Sequence, residues 1–419
     1  MKYYFSRFSF GILCLLTLSP LGSFAAVSST GIDNESRQQI AQVVTRALQA
    51  SPEIAAAYSA VQAAEARLTG AGLPLNNPEL EAEAENTDIS TYRIGINQTI
   101  DWHDKRGALE QVARQELLLA QQQYQALKLA RSTDLLDAIG RIIVSQNIEE
   151  LARKRTTLLK RFERLAVKRH AAGDISRNDL ELARLALAEA AMQEARSQSD
   201  VLQAQMDFQV LSGHPLDTPL QMPHVQAGPA TPDSDERLAQ QHPEVQSALI
   251  AAQVARQRIQ SVDRGRKADP SFGLAAGQEG EETLVALSFS LPLQVRNNFE
   301  NDVEAARAEA LQADQLAQQS YRKLRARIAG TRDQYRLMAA AWMHWMDSGQ
   351  VSLEKRIELL DTLWQSGELS TTDYLLQLQQ TLDTRITGTE LQSELWDAWV
   401  RWLSASGTLE NWLTGEKKK

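Results

Sequence analysis

The amino-acid sequence predicts a mainly α-helical chain with a small β part, laid down as two copies of one plan. Three observations predict it: landmarks that recur at a nearly constant offset, prolines confined to a few places, and four short stretches of alternating apolar and polar residues. Ser51-Pro52-Glu53 returns as His242-Pro243-Glu244, and Asn77-Pro78 as Asp269-Pro270. Gly173-Asp174-Ile175-Ser176 returns as Gly367-Glu368-Leu369-Ser370, and Leu211-Ser212-Gly213 as Ala405-Ser406-Gly407. The offset stays between 191 and 194, and agreement in both order and spacing marks an internal duplication.

Prolines punctuate the two copies. None occurs between Glu79 and His214 or after Pro292, whereas Pro215, Pro219, Pro223, Pro229 and Pro232 crowd a linker. The expected organisation is a secretory leader over 1–25, a first repeat over 26–213, a Pro-rich linker over 214–235, a second repeat over 236–408 and a C-terminal tail over 409–419. Lys2 and Arg7 ahead of an apolar run over 8–18, with Ser23-Phe24-Ala25 after it, give the leader and a cleavage point after Ala25. Cys14, the only cysteine, lies inside that run behind Leu13, so no lipid anchor is expected and the mature chain has no disulfide. With Lys2 and Arg7 removed, the net charge of −9 becomes −11, the opposite of a nucleic-acid binder.

Each repeat reads as helix, two strands, a very long helix, a tip and a return helix. In the first copy the long helix is expected over about 107–172, with Ile148, Leu151, Leu158, Phe162 and Leu165 at coiled-coil spacing. At 1.5 Å per residue such a helix is roughly 100 Å long. The flanking helices, about 36–69 and 177–212, are roughly half that and would match it stacked end to end. In the second copy Leu353, Ile357, Leu360 and Trp364 repeat the spacing.

The strands alternate cleanly. Glu79, Glu81, Glu83 and Glu85 share one face against Leu80, Ala82 and Ala84; Tyr92, Ile94, Ile96 and Ile100 oppose Arg93, Gly95, Asn97 and Thr99. Val285, Leu287, Phe289 and Leu291 alternate with Leu284, Ala286, Ser288 and Ser290. From alternation alone a half-buried soluble sheet is the commoner meaning, but strands of this length also suit an outer-membrane barrel. No segment after the leader is apolar enough to span a bilayer as a helix. Four strands cannot close a barrel, which needs about eight, and an open edge cannot sit in lipid. Strands that span a membrane here require the chain to oligomerise.

The duplication, the paired hairpins and the glycine-centred tips resemble the TolC-type outer-membrane efflux proteins. Tyr92-Arg93-Ile94-Gly95-Ile96-Asn97-Gln98-Thr99-Ile100-Asp101 with Lys105-Arg106 is similar to the second strand and helix start of the CzcC-like heavy-metal branch. Arg169, Gly173 and Asp179 are similar to the family's tip signature; the second tip keeps Gly367 and Asp373 but has Leu363 at the arginine position. The resemblance implies a homotrimer with twelve strands, four per chain, in one β-barrel set in outer-membrane lipid above an α-helical coiled-coil tunnel in the periplasm. It implies as partners a periplasmic adaptor and an inner-membrane pump of the resistance-nodulation-division class, with metal cations as cargo and no chemistry by the channel. It places adaptor docking at Arg169, Gly173, Asp174, Ile175 and Asp179 in one tip and Leu363, Gly367, Glu368, Leu369 and Asp373 in the other. It also places a periplasmic aperture at Glu358 and Asp361, whose alternative is a helical pairing of Glu358 with Lys355. A duct for small organic compounds or type I polypeptide secretion, or a periplasmic adaptor or rod, are the competing functions.

No enzyme or cofactor pattern stands out. His103, His170, His214, His224, His242 and His344 lack ligand spacing, and there is no nucleophile elbow, phosphate loop or dinucleotide fingerprint. His103 reads as a polar residue at a helix start rather than a metal contact. Trp396, Trp399 and Trp402, on one helix side, read as core or intersubunit packing. Ser176 and Ser370 read as caps of the return helices.

Overall fold

A computed structural model describes residues 29–223 and 234–415. The expected leader, Cys14, His224 and the heart of the linker lie outside the described residues. The first copy runs α1 (Ser29–Ala50), α2 (Pro52–Ala71), β1 (Glu79–Asn86), β2 (Ser90–Thr99), α3 (Lys105–Ala172) and α4 (Arg177–Ser212). The second runs α5 (Asp235–Gln241), α6 (Pro243–Gly265), β3 (Ser271–Glu279), β4 (Glu282–Ser290), α7 (Glu300–His344), a π-helical turn (Trp345–Gly349), α8 (Gln350–Gln365) and α9 (Thr371–Ser406). A short α10 (Leu409–Thr414) follows.

Two expected helices are broken, each for a physical reason. The segment expected as one helix over 36–69 divides at Ser51, whose extended backbone and side chain cap α2 by accepting from the N–H of Ile54 at 3.4 Å. Proline at the next position disfavours a helical residue before it and lacks the N–H that would continue the ladder. His242 does the same ahead of Pro243, its Nδ1 accepting from the N–H of Glu244 at 3.2 Å while Nε2 donates to the carbonyl of Ser404 at 3.1 Å. The repeated Pro-Glu pair is therefore a helix start in both copies. The second long helix is interrupted by the π turn, whereas α3 is continuous.

The coiled-coil seam of α3 keeps Phe162 as expected, while Ala152, Leu159 and Ala166 replace their expected neighbours Leu151, Leu158 and Leu165. Ala152, Arg155, Leu159, Phe162 and Ala166 are buried at spacings of three and four, while Leu158 and Leu165 are only half-buried. The α4 seam is built of smaller side chains, with Ala183, Ala190, Ser197 and Ala204 at heptad distance. Arg155, at a seam position, reaches out to Asp383 on α9 at 3.2 Å.

The largest core surrounds Trp396, Trp399 and Trp402 of α9 and Leu135, Leu136, Ile139 and Ile142 of α3. Trp396 donates its Nε1–H to the carbonyl of Leu136 at 3.0 Å. The indole passes over Gly140, where any Cβ would collide with the ring. The segment expected as a tail instead packs: Leu409 is fully buried, Trp412 meets Trp399 edge-on at 4.7 Å, and Arg37 donates to the carbonyl of Trp412 at 2.9 Å.

The four strands form one antiparallel sheet in the order β1-β2-β3-β4. Register places Ile94 beside Ala82 and Ala276, and Leu274 beside Ile96 and Leu287. One face is thus largely apolar and open to the surroundings, with Leu287 85% exposed and Leu80 74% exposed; Gln98, Gln278 and Thr283 lie at its ends. The other carries the glutamates of β1 and the Glu83–Arg93 ion pair at 2.8 Å. Both outer strands present unpaired edges. Among the described residues no helix is long and apolar enough to cross a membrane.

Candidate functional site: the paired hairpin tips

Both tips are built alike. Gly173 closes α3 at φ +85° and Gly367 follows α8 at φ +82°, a left-handed conformation that glycine adopts without the Cβ penalty. The N–H of Asp174 donates to the carbonyl of Arg169 at 2.9 Å, and that of Glu368 to the carbonyl of Leu363 at 3.0 Å. Ser176 caps α4 by accepting from the N–H of Asp179 at 3.1 Å, and Asp179 accepts from the N–H of Ser176 in return at 3.1 Å. Ser370 and Asp373 repeat the first of these contacts at 3.1 Å. Asp179 and Asp373 are therefore occupied in capping. Asp174 and Glu368 are exposed, and Ile175 and Leu369 lean half-buried on the tip core.

Arg169 joins the two hairpins. Its guanidinium donates to the carbonyls of Trp364 and Gln365, each at 3.0 Å, and lies 4.8 Å from the centroid of the Trp364 ring. It thereby satisfies carbonyls at the end of α8 that the helix itself leaves open. Below it Phe162 stacks on Tyr374 at 4.7 Å and meets Trp364 at 4.4 Å. The Trp364 Nε1–H donates to Thr371 Oγ1 at 3.3 Å. Leu363, at the arginine position of the second tip, makes no such reach; one arginine serves both.

Glu358 is exposed and Asp361 half-buried on α8. Among the described residues Glu358 forms no ion pair with Lys355. Asp361 accepts from Gln365 Nε2 at 2.9 Å. Burial, and secondarily the Asp361 charge, push the Tyr374 phenol well above its ordinary range. The cross-hairpin pair Arg155–Asp383 was not legible in the sequence, since its partners stand 228 residues apart. Among the described residues no three potential metal ligands converge.

Higher up, Trp345 in the π turn lies against Gly349 and against Gly388 of α9, where any Cβ would collide with the indole. A cavity of about 240 Å³ opens beside it, lined by Leu151, Lys154, Trp342 and Arg385 among others.

This arrangement has counterparts among solved structures. The outer-membrane channel OprN superposes with a TM-score of 0.77 at 14% identity, over 96% of this chain and 99% of that one. The chain has the fold of an outer-membrane channel. The Campylobacter jejuni CmeC outer membrane channel superposes at 0.75 with 14% identity, over 95% and 94% of the two chains. The Vibrio cholerae outer membrane protein VceC superposes at 0.72 with 18% identity, over 88% and 96%. No protein-family model and no curated relative matches the sequence. The channel fold accounts for a largely apolar sheet face turned outward and for two open strand edges.

Proposed function

We propose that the chain is the outer-membrane subunit of a tripartite efflux system, a homotrimer whose four strands per copy close a twelve-stranded barrel. The observation that carries this reading is the sheet. Its outward face is largely apolar from Leu80 to Phe289 and its two edges are unpaired, so one copy alone leaves backbone groups unsatisfied in lipid and the sheet must close against further copies. The long hairpins then cross the periplasm, and their tips meet a periplasmic adaptor held by an inner-membrane pump. Exposed Asp174 and Glu368 beside half-buried Ile175 and Leu369 give each tip a polar rim around an apolar contact, suited to docking. The chain supplies a duct and no chemistry of its own.

Metal cations are the cargo this reading favours. Its support is the resemblance of the second strand to the heavy-metal branch, together with the acidic lining that the trimer would create. Glu79, Glu81, Glu83 and Glu85 share one sheet face, and Glu358 and Asp361 stand near the tip. Detergent-solubilised mature protein should show a trimer mass by light scattering, and deletion of the gene should sensitise cells to divalent or monovalent soft metals. A stable monomer that keeps its strand content would overturn the trimer. Unchanged metal tolerance with lost tolerance to organic compounds would move the cargo.

A further inference from the structure

We infer that the groove at the foot of β2 binds the headgroup of a zwitterionic phospholipid, one carrying both a phosphate and a primary ammonium. The inference rests on the barrel reading above, since only a sheet in lipid puts this groove at a headgroup layer.

Past Thr99 the chain turns through Ile100–Asp104 into α3, and the turn is tightly tied. The Asp101 carboxylate accepts from the N–H groups of Lys105 at 2.8 Å and Arg106 at 2.9 Å. Asp104, at φ +54°, accepts from the N–H of Gly107 at 3.2 Å and pairs with Arg264 at 2.5 Å. Lys105 pairs with Asp269 at 2.9 Å. Of the cations at this turn, only Arg106 has no ion-pair partner among the described residues, and it is exposed.

Arg106 lines a cavity of about 320 Å³ with Leu75, Asn76, Gln98, Trp102 and Asp104. Trp102 is 67% exposed beside it. The groove begins where the apolar sheet face ends: Ile94 and Ile96 lead down to Ile100, whose N–H still bonds across to the carbonyl of Pro270 at 3.0 Å. An exposed tryptophan at the end of an apolar strand face is the side chain that membrane interfaces select, with its ring among ester groups and its N–H toward water.

The charge pattern chooses the headgroup. A plain anion approaching Arg106 would also meet Asp101 and Asp104, which line the same cavity. A zwitterion is complementary to that set: its phosphate faces the guanidinium, which matches phosphate oxygens with paired N–H donors, and its ammonium faces Asp101, whose carboxylate is held by backbone N–H groups and has no ion-pair partner among the described residues. A volume of about 320 Å³ admits a headgroup, while the acyl chains would lie outside it along Leu75 and Ile100, both exposed.

The test is native mass spectrometry of the delipidated trimer titrated with short-chain phosphatidylethanolamine, phosphatidylglycerol and inorganic phosphate. Three ethanolamine lipids per trimer are expected, bound about tenfold more tightly than the glycerol lipid, with no displacement by millimolar phosphate. Arg106→Gln should weaken them about tenfold, Arg106→Lys less, and Arg296→Gln, at an exposed arginine of the other strand–helix junction, not at all. Displacement by free phosphate, equal binding of the two lipids, or unchanged retention by Arg106→Gln in an intact trimer would overturn the inference while leaving the barrel standing. So would a crosslink showing the groove filled by the 291–296 loop of a neighbouring copy. A chain monomeric in detergent that retains no lipid would overturn both readings.

Discussion

The guanidinium of Arg169 sits over the indole of Trp364, 195 residues further along the chain, and holds that residue's carbonyl at 3.0 Å. Two hairpins from two repeats are thereby tied at their ends by a single side chain. Charge-assisted hydrogen bonds contribute roughly 1.5–3 kcal/mol where shielded and less at a surface, and an exposed cation–π contact about 0.5–1 kcal/mol. Arg169→Leu, which copies the second tip's Leu363, should therefore loosen the tip without disturbing the barrel. Amide exchange over 364–370 should accelerate about tenfold or more, with trimer mass unchanged. Arg169→Lys should recover only part of the protection, since lysine cannot hold two carbonyls in one plane. Equal exchange in all three proteins would show the tie to be idle.

The tip glycines make a separate prediction. Beyond the adjoining backbone, a Cβ on Gly173 or Gly367 would meet nothing within 4 Å, so the space is free and only the backbone conformation objects. Gly173→Val and Gly367→Val should lose adaptor binding through a changed turn, because a β-branched residue is strongly disfavoured at positive φ. Gly→Asn at the same sites, which tolerates the left-handed region, should lose much less. A pull-down with the cognate adaptor reads the difference, and equal retention by all four variants would remove docking from the tips.

Much of this architecture was legible because it is written locally. The glycine-acid-apolar-serine run carries its turn within five residues, and the parity of Glu79 to Glu85 assigns two sheet faces without reference to any partner. The helix breaks at Ser51 and His242 were within reach too: a proline following a capping residue is a start signal, and an alanine-rich flank masked it. What was not legible depends on contacts between helices. The α3 seam uses Ala152, Arg155 and Ala166, residues that announce no apolar stripe until α4 and α9 are set beside them. Arg169 reads as a docking residue of the tip, and its tie to the carbonyls of Trp364 and Gln365 emerges only where α8 ends beside it.

The π turn shows the same limit and is itself testable. Trp342 and Trp345 are three apart and read as ordinary helix; the irregularity accompanies a contact with Gly388, 43 residues later in the sequence. Gly388→Ala would drive a methyl into the Trp345 ring, and overpacking of this kind costs about 1–3 kcal/mol. The melting midpoint should fall by several degrees, and Trp345→Leu in the same chain should restore part of it. A Gly388→Ala protein as stable as the parent would mean that the indole moves aside freely.

The last prediction concerns pH. Asp137 of α3 lies in the α3–α9 crossing with one carboxylate oxygen buried and unpartnered. Burial first, and then the charge of Asp397, raise its carboxyl from 3.8 to about 6, against the opposing pull of Arg401 and Arg141. Asp134 adds to the rise, and burial likewise raises Asp397, near Glu394. The folded chain thus holds a proton on Asp137 that the unfolded chain releases near 3.8. Between those two values the native state binds more protons, so this carboxyl's contribution to stability falls as pH rises and the full cost remains above about 6. Asp137→Asn keeps the shape and removes the ionisation. It should raise the melting midpoint by a few degrees at a pH well above that value, and the gain should shrink as pH falls from about 6 and be absent below 3.8. Circular dichroism melts of the two proteins across that range decide it, and a gain independent of pH would mean that the introduced amide improves packing rather than relieving a buried charge.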